Sequence, residues 1–401
     1  MVFEHYRPVV IAGLAAFAVA VALTPVIRVA ARRMGFVAVP RRDRWHSAPT
    51  SLMGGVAIFS ASSLGTLLVV GPAELWPWII PAVLMFAVGL VDDIVTLGPA
   101  TKLALQVVAA AMLPAFGAWF GGFPWEPVAV MFTVFWLVGL TNAFNLLDNM
   151  DGLAAGVAAL SGVAIVLMIL AGGGPPSPVA VAAAALVGAL AGFLIYNFNP
   201  ASIFMGDSGS LYIGCLIATT AVIGPSEAGR GLASILSAPV LILLVPILDT
   251  AFVTVNRLLA RRRVSVGGRD HTSHRLVAIG LSERRAVLVL YCVALGGGVF
   301  GYSLHVWGPG WTFGGLGLYL VGVALLAVLQ WAGADPFPAA GWTPEIAGGS
   351  QRLRVYATLG NPNFVAACVA MHLPLAADLA RASATRVARR AGLASLAVLL
   401  A

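Results

Sequence analysis

The segment NFNPASIFMGDSGSLYIG, Asn197 to Gly214, places an aspartate beside long apolar stretches of the chain. Apolar runs cover residues 178–196 and 210–224, so Asp207 lies at the edge of two segments that could span hydrocarbon. A charged side chain inside a membrane helix costs about 2.5–3.5 kcal/mol on insertion scales, which makes such a residue a functional-site hypothesis. The segment therefore predicts a helical membrane bundle with a site at one of its ends.

The residues around Asp207 are suited to a phosphate ligand. Gly206 and Gly209 allow the backbone to approach a ligand closely, and Ser208 adds a hydroxyl. We expect the next helix to start near Leu211 and to offer unpaired N–H groups, which favour phosphate. An anionic aspartate beside a phosphate requires a cation between them, and Mg²⁺ fits that place. The alternative for this segment alone is that Asp207 only caps the helix.

The composition is that of a polytopic membrane protein. The chain has 401 residues, of which 60% are hydrophobic and 10% charged, whereas soluble domains carry roughly 25% charged residues. The three cysteines lie far apart in apolar runs, which argues against a disulfide framework or a cysteine metal site. The net charge of +7 lies on short loops, so it indicates membrane orientation and not nucleic-acid binding.

Eleven apolar runs approach the length of about 20 residues that spans a bilayer. We therefore predict an all-α fold of about eleven transmembrane helices. Basic residues follow the first run instead of preceding it, so this run is expected to be an uncleaved span and not a signal peptide. The predicted spans are 8–27, 51–71, 76–91, 103–120, 127–141, 153–171, 178–196, 210–224, 232–255, 286–306 and 312–331.

Basic residues are concentrated on one side of this alternating arrangement. Six arginines follow the first span and eight follow the ninth, whereas only Arg7 and Arg230 fall on the other side before residue 335. The positive-inside rule makes the loaded side cytoplasmic and places the N-terminus outside. The polar motifs all lie on the loaded side, so we expect a multi-pass protein of the cell membrane with a cytoplasmic active site.

The stretch VDDIVTLGPATKLALQ, which starts at Val91, carries acids and a lysine at the ends of two predicted spans. Asp92 and Asp93 end the third span, while Lys102 and Gln106 are four residues apart and share one helix face. The carboxylates could bind a metal or position a phosphate, and Lys102 could neutralise phosphate charge. The alternative is an interfacial acidic pair with a lysine that reaches to the membrane surface.

The stretch NAFNLLDNMDGLAAG, residues 142–156, predicts a polar stripe on a helix. Four of its polar residues recur at intervals of three, and Asn149 lies off that stripe. Asparagine side chains both donate and accept hydrogen bonds, as nucleotide and sugar recognition requires. The stripe consists of Asn142, Asn145, Asp148 and Asp151.

The stretch RRRVSVGGRDHTSHRLVAIGLSERRAV, residues 261–287, sets His271 and His274 in a field of arginines. It does not fit a zinc site, since no cysteine is near. A loop that binds a pyrophosphate or a lipid headgroup fits better. Asp249 is a lone acid in the ninth span, with pairing to an asparagine or arginine and a catalytic role both open.

These motifs occur in the same order as in the polyprenyl-phosphate N-acetylhexosamine-1-phosphate transferases, a membrane family that also contains phospho-N-acetylmuramoyl-pentapeptide transferase. MGGVAIF at 53–59 and PILDT at 246–250 resemble two further signatures of that family. The resemblance covers about residues 8–330, within a predicted transferase domain of residues 1–332. It implies Mg²⁺-dependent transfer of a sugar 1-phosphate from a UDP-sugar to undecaprenyl phosphate, with release of UMP.

The resemblance also implies roles for single residues. Asp207 matches the acid that binds Mg²⁺, for which Mn²⁺ could substitute, and Asp148 is a second metal candidate. The catalytic candidates are Asp92, Asp93, Asp148, Asp151, His271 and His274. The substrate-binding candidates are Lys102, Asn142, Asn145, Gly206, Ser208, Arg269 and Arg275. Two roles stay open for Asp92, which could position the lipid phosphate or act as a general base.

The HTSHRL loop resembles the branch that uses simple UDP-N-acetylhexosamines, which favours UDP-GlcNAc. From the resemblance alone we also expect a homodimer. Residues 333–401 form a separate tail, in which the segment 354–376 resembles a fragment of the O-antigen ligase family; the alternative is a membrane anchor.

Two rival functions fit the sequence less well than the transferase. A transporter would carry its acids near the bilayer midplane together with internal repeats. A ligase of lipid-linked glycans would need its active residues on the outer face, where the first 330 residues offer few polar groups.

Overall fold

The computed structural model describes residues 2–38, 49–172, 176–226, 232–259, 261, 270–278, 280–308 and 310. The chain divides into two compact units, Met1–Val306 and Trp307–Ala401. The site and the elements that build it lie in the first unit. The predicted boundary after residue 332, the predicted span 312–331, the tail and Arg269 lie outside the described residues.

The described residues form twelve helices and one short hairpin, which confirms the prediction of an all-α membrane fold. The hairpin consists of β1, Val37–Ala38, and β2, Thr50–Ser51. The helices are α1 Val2–Arg33, α2 Gly54–Leu67, α3 Pro72–Val95, α4 Pro99–Ala115, α5 Glu126–Leu147, α6 Leu153–Leu170, α7 Pro178–Asn197, α8 Gly206–Ser226, α9 Leu232–Ile242, α10 Leu244–Leu259, α11 Thr272–Ala278 and α12 Glu283–Trp307.

The predicted spans within these residues all fall on helices, although not all of these are long. In the described part of the chain, seven helices are long and apolar enough to cross a membrane, and α9 with α10 forms an eighth candidate that is bent by 80°. Helix α2 is shorter than its apolar run because β2 takes the start of the run, and α4 ends at Ala115, just after Pro114. The total of eleven spans stays a prediction.

Helix α8 is the central helix of the bundle. Of its most apolar window 83% is buried, against 22% for α1, which lies at the periphery. Small residues allow close approach around it: a Cβ on Gly89 of α3 would collide with the carbonyl oxygen of Asp207, and one on Gly55 of α2 with the amide of Gly209. Such glycine contacts suit helix packing in lipid.

The segment before α8 is fixed by backbone hydrogen bonds to the hairpin and to α2. Ser51 forms a parallel bridge with Ile203, and the N–H of Phe204 donates to the carbonyl of Ser51 over 2.8 Å. The N–H groups of Gly54 and Gly55 donate to the carbonyls of Phe204 and Met205 over 2.9 and 2.8 Å. The first turn of α8 therefore enters the bundle in a fixed position.

Helix α8 begins at Gly206, five residues before the predicted start near Leu211, so that prediction was wrong. The apolar pattern begins late because the first turn of the helix is polar and belongs to the site. The chain order places this turn at the same end of the bundle as the C-terminal ends of α3 and α5 and the N-terminal end of α4.

Candidate active site

The carboxylate of Asp93 holds the first turn of α8. It accepts hydrogen bonds from the backbone N–H of Asp207 over 2.8 Å, from the N–H of Ser208 over 3.0 Å and from the Ser208 hydroxyl over 2.7 Å. A carboxylate at a helix N-terminus satisfies orphan donors and complements the helix dipole. The prediction that these N–H groups are free for phosphate was wrong, because an acid from a neighbouring helix already occupies them.

Gly206 is the residue that makes this arrangement possible. Its φ of +72° lies in the left-handed region, and a Cβ there would lie 2.7 Å from a carboxylate oxygen of Asp93. Glycine meets both conditions without strain. Gly206 and Ser208 were predicted to bind substrate. In the structure, their contacts with Asp93 position helix α8.

The side chain of Asp207 belongs to a second set of contacts. One of its carboxylate oxygens accepts from the Lys102 ammonium, and the other accepts from Nδ2 of Asn145 over 2.8 Å. The same ammonium lies 2.9 Å from Oδ2 of Asp92, whose other oxygen accepts from the N–H of Leu97. Lys102 therefore bridges two carboxylates that come from α3 and α8.

The contacts of Lys102 and Asp207 form a carboxylate–lysine network of four side chains: Asp92, Lys102, Asn145 and Asp207. Asp207 is its most open acid, with 33% of its side chain exposed against 9% for Asp92. Asn145 is held in place by a further bond from its Nδ2 to the hydroxyl of Ser210 over 2.9 Å. The network thus presents one accessible carboxylate on a rigid support.

The donor set of the network is compatible with a divalent cation. Two carboxylate oxygens converge on one ammonium, which shows that the space between them accepts a small positive group. Mg²⁺ prefers one or two carboxylates and completes its shell with water and substrate phosphates. Among the residues described, no group of three or more His, Cys, Asp or Glu side chains could enclose a metal, so such an ion would depend on substrate oxygens.

Asn142 lies one helical turn from Asn145 and contacts a different partner. Its Nδ2 donates to Oε1 of Gln106 over 2.7 Å and to the carbonyl of Val138 over 2.8 Å. Gln106 is fully buried, and its Nε2 has no hydrogen-bond partner among the residues that the structure describes. This pair joins α4 to α5 about one helical turn away from Lys102 and Asn145.

Asp148 and Asp151 flank the turn between α5 and α6. Asp148 directly follows α5, and its N–H donates to the carbonyl of Phe144 over 3.1 Å. A carboxylate oxygen of Asp151 accepts from the N–H of Ala201 over 2.8 Å and from Nδ2 of Asn199 over 3.4 Å. Asp151 therefore contacts the loop that leads to α8.

Asn199 extends these contacts to α12. Its Nδ2 donates to Glu283 over 3.0 Å, and Nε of Arg284 donates to the Asn199 carbonyl over 2.9 Å. Sequence reasoning passed over Glu283 and Arg284, because an acidic residue beside arginines at a helix start resembles an ordinary solvated terminus.

The histidine loop forms the short helix α11, which is tied to α10 by Asp249. Nδ1 of His271 lies 2.7 Å from Oδ2 of Asp249, and the N–H of Thr272 donates to Oδ1 over 2.7 Å. Of the two alternatives left open for Asp249, pairing with an asparagine or arginine is not what the structure shows, since His271 occupies that place. The ring of His274, also buried, lies with its centroid 6.0 Å from that of His271.

Further contacts hold α11 against its neighbours. The Ser273 hydroxyl donates to Oδ1 of Asn149 over 2.7 Å, so Asn149, off the predicted stripe, links α11 to the end of α5. The guanidinium of Arg275 lies over the ring of Phe252, 4.4 Å from its centroid. Nε of Arg257 lies 3.0 Å from a carboxylate oxygen of Asp270. Local spacing carried no signal for these pairs, because their partners are distant in sequence.

Sequence comparisons with a family model and with known proteins all indicate the same family. Residues 75–225 match the model of glycosyl transferase family 4. The chain is 33% identical over 308 residues to a probable undecaprenyl-phosphate N-acetylglucosaminyl 1-phosphate transferase of Bacillus subtilis, covering 73% of this chain and 84% of that protein.

Two further relatives extend the comparison. A decaprenyl-phosphate N-acetylglucosaminephosphotransferase of Mycolicibacterium smegmatis is 36% identical over 321 residues, covering 71% of this chain and 79% of that protein. A phospho-N-acetylmuramoyl-pentapeptide-transferase of Synechococcus is 33% identical over 224 residues, covering 50% and 62% of the two chains.

We predict that Asp93→Ala lowers thermal stability more than Asp92→Ala. The first change strands two backbone donors and a hydroxyl in the bundle, and each unsatisfied buried donor costs about 1–3 kcal/mol. In the second change Lys102 keeps Asp207 as its partner. Thermal unfolding of the two purified variants in detergent measures the difference, and a larger loss for Asp92→Ala would contradict this assignment.

Proposed function

Because the chain belongs to glycosyl transferase family 4, we propose that it transfers N-acetylglucosamine 1-phosphate from UDP-GlcNAc to undecaprenyl phosphate and releases UMP. This reaction would be the first lipid-linked step of a cell-envelope glycan. The observation that supports it best is the carboxylate–lysine network, which joins acidic, basic and amide groups at one end of an apolar bundle.

The proposed chemistry is a displacement at phosphorus. An oxygen of the lipid phosphate attacks the sugar-linked phosphorus, the bond from that phosphorus to the UMP oxygen breaks, and UMP leaves with the bonding electrons. Several negative charges converge, so positioning and charge neutralisation dominate catalysis. Lys102 carries the positive charge nearest to Asp207 and would neutralise a phosphate oxygen there.

Two observations bear on the open role of Asp92. A phosphate monoester has a second pKa near 6 and is mostly dianionic at pH 7, so the attacking oxygen needs no base. Both carboxylate oxygens of Asp92 are already engaged, one by the N–H of Leu97 and the other by Lys102. These contacts favour Asp92 as a residue that positions Lys102 and the lipid phosphate over Asp92 as a general base.

Mg²⁺ is the proposed metal, with Asp207 as its principal ligand and Asp148 as a second carboxylate. When bound, the ion would supply positive charge that neutralises the phosphates and the charge developing on UMP. Asp207 is suited to this part because its carboxylate is the most exposed of the network. Asn145 orients that carboxylate from the other side.

The α11 segment is proposed to bind the pyrophosphate of the UDP-sugar. His271 directly precedes α11, His274 lies on its first turn and Arg275 follows. Nitrogen donors grouped at one short helix can contact several phosphate oxygens at once. The loop sequence HTSHRL and the acetylglucosamine transferases among the relatives both favour a simple amino sugar over a muramoyl-pentapeptide.

We predict that the purified protein releases UMP from UDP-GlcNAc only when undecaprenyl phosphate and Mg²⁺ are both present. Asp207→Asn should lower this rate at least about 100-fold, because loss of a preorganised charge contact costs that much in comparable sites. Glu74→Gln, at the opposite end of α3, is the matched control and should keep wild-type turnover. UMP release by Asp207→Asn at the wild-type rate would refute the metal assignment.

The choice of donor is tested in the same assay with UDP-GalNAc and UDP-MurNAc-pentapeptide in parallel. Preference for UDP-GlcNAc supports the proposed sugar. Absence of UMP release with all three donors, from protein that elutes as a folded species, would contradict the proposed reaction.

We propose that the site end of the bundle faces the cytoplasm, because basic residues concentrate there. In a chain with its native cysteines replaced by alanine, Ser282→Cys should react with a membrane-impermeant maleimide in inside-out vesicles only. Trp125→Cys, before α5 at the other end, should react in right-side-out vesicles only. The reverse pattern would overturn the orientation.

A further inference from the structure

Asp249 is a buried acid that lies outside the carboxylate–lysine network. Only 3% of its side chain is exposed, and it lies on α10, where other side chains such as Val255 and Leu258 point outward. A carboxylate buried in an apolar setting needs partners that compensate its lost hydration. Both of its oxygens have one, and both partners belong to the histidine segment.

The two bonds of Asp249 do different things. Oδ1 accepts from the N–H of Thr272, the first residue of α11, and so caps that helix. Oδ2 lies 2.7 Å from Nδ1 of His271, whose side chain is only 5% exposed. A carboxylate accepts hydrogen bonds, so Nδ1 of His271 carries the hydrogen in this pair whether or not the ring is charged.

We infer that Asp249 is a positioning residue: it accepts the Nδ1 hydrogen of His271 and so orients the ring for Nε2–H to donate to the pyrophosphate of the UDP-sugar. In that contact both ring nitrogens donate, and the Asp249 carboxylate balances the charge of the ring. A carboxylate that binds one ring nitrogen sets the tautomer and orientation of the other. This inference rests on the proposed function, since it assigns a task to Asp249 within the phosphate site. Asp249 itself touches no substrate and acts through His271.

The pair also explains why α11 is placed by an acid from a membrane helix. A helix of seven residues cannot fix its own position. Asp249 binds both the N–H of Thr272, where α11 begins, and the ring of His271, the residue before it. Ser273 ties the same segment to Asn149 through a separate bond. Loss of Asp249 should therefore disturb the orientation of His271 more than the docking of the segment.

Two substitutions at position 249 separate the effect of the side chain's charge from the effect of its shape. Asp249→Asn keeps the shape of the side chain and its cap on Thr272, but it loses the charge that balances a ring with two donating nitrogens, and its NH₂ group meets Nδ1 as a donor instead of an acceptor. Asp249→Glu keeps the charge and changes the length. We expect kcat for UMP release to fall about 10–100-fold in Asp249→Asn with little change in KM, which is the usual loss when a residue that orients a functional histidine is replaced. In Asp249→Glu we expect kcat to fall less.

A double-mutant cycle with His271→Gln separates positioning from a purely structural role. If Asp249 acts through His271, adding Asp249→Asn to His271→Gln should lower kcat by less than about twofold, because coupled residues are not additive. If the losses multiply, or if Asp249→Asn keeps wild-type kcat, the inference is overturned.

The folding of each variant is checked by size-exclusion chromatography and by thermal unfolding in detergent. If Asp249→Asn does not fold, the same cycle is run with Asp249→Glu, in which multiplied losses again refute the inference. Wild-type protein in the same assay keeps the two claims apart. A wild type without UMP release contradicts the proposed function, whereas an active wild type beside a fully active Asp249→Asn contradicts only the role of Asp249.

Discussion

The contact on which the site depends is the carboxylate of Asp93 against the first turn of α8. Three donors converge on it, and two of them are the backbone amides of Asp207 and Ser208. This contact sets the direction of the central helix and with it the place of the Asp207 carboxylate. Close approach at Gly89 and the left-handed backbone of Gly206 follow from the same requirement, because any larger side chain at either position would push α8 away.

The acids of the site divide into two kinds. Asp93, Asp151 and Asp249 each accept from a backbone N–H at the start of a helix or in a loop, so each fixes a segment in place. Asp92 and Asp207 instead share the ammonium of Lys102, and Asp207 remains partly exposed. Buried charges are retained only where partners compensate them. Neighbouring acids such as Asp92 and Asp93 can therefore serve different ends despite identical chemistry.

Much of this arrangement could be predicted from sequence. Apolar runs indicated the helices, and the polar stretches between them supplied Asp92, Lys102, Asn145 and Asp207 as separate candidates within a longer list. The structure brings these four into contact. The sequence could not show that Asp93 caps α8, that Asp249 pairs with His271 or that Asn149 meets Ser273. Those pairs lie 22 to 124 residues apart, and hydrophobic periodicity carries information only about neighbours on one helix. The start of α8 was misplaced for a related reason, since its first turn is polar.

We propose that Asp207 and its network hold a divalent cation against substrate phosphate. Electron paramagnetic resonance of Mn²⁺ bound to the protein with UDP-GlcNAc measures this directly, because phosphorus nuclei next to the ion produce a hyperfine coupling. We expect a bound Mn²⁺ signal with phosphorus coupling in the wild type and its loss in folded Asp207→Asn. The same bound signal and the same coupling in Asp207→Asn would contradict the account, since the ion would then be held elsewhere.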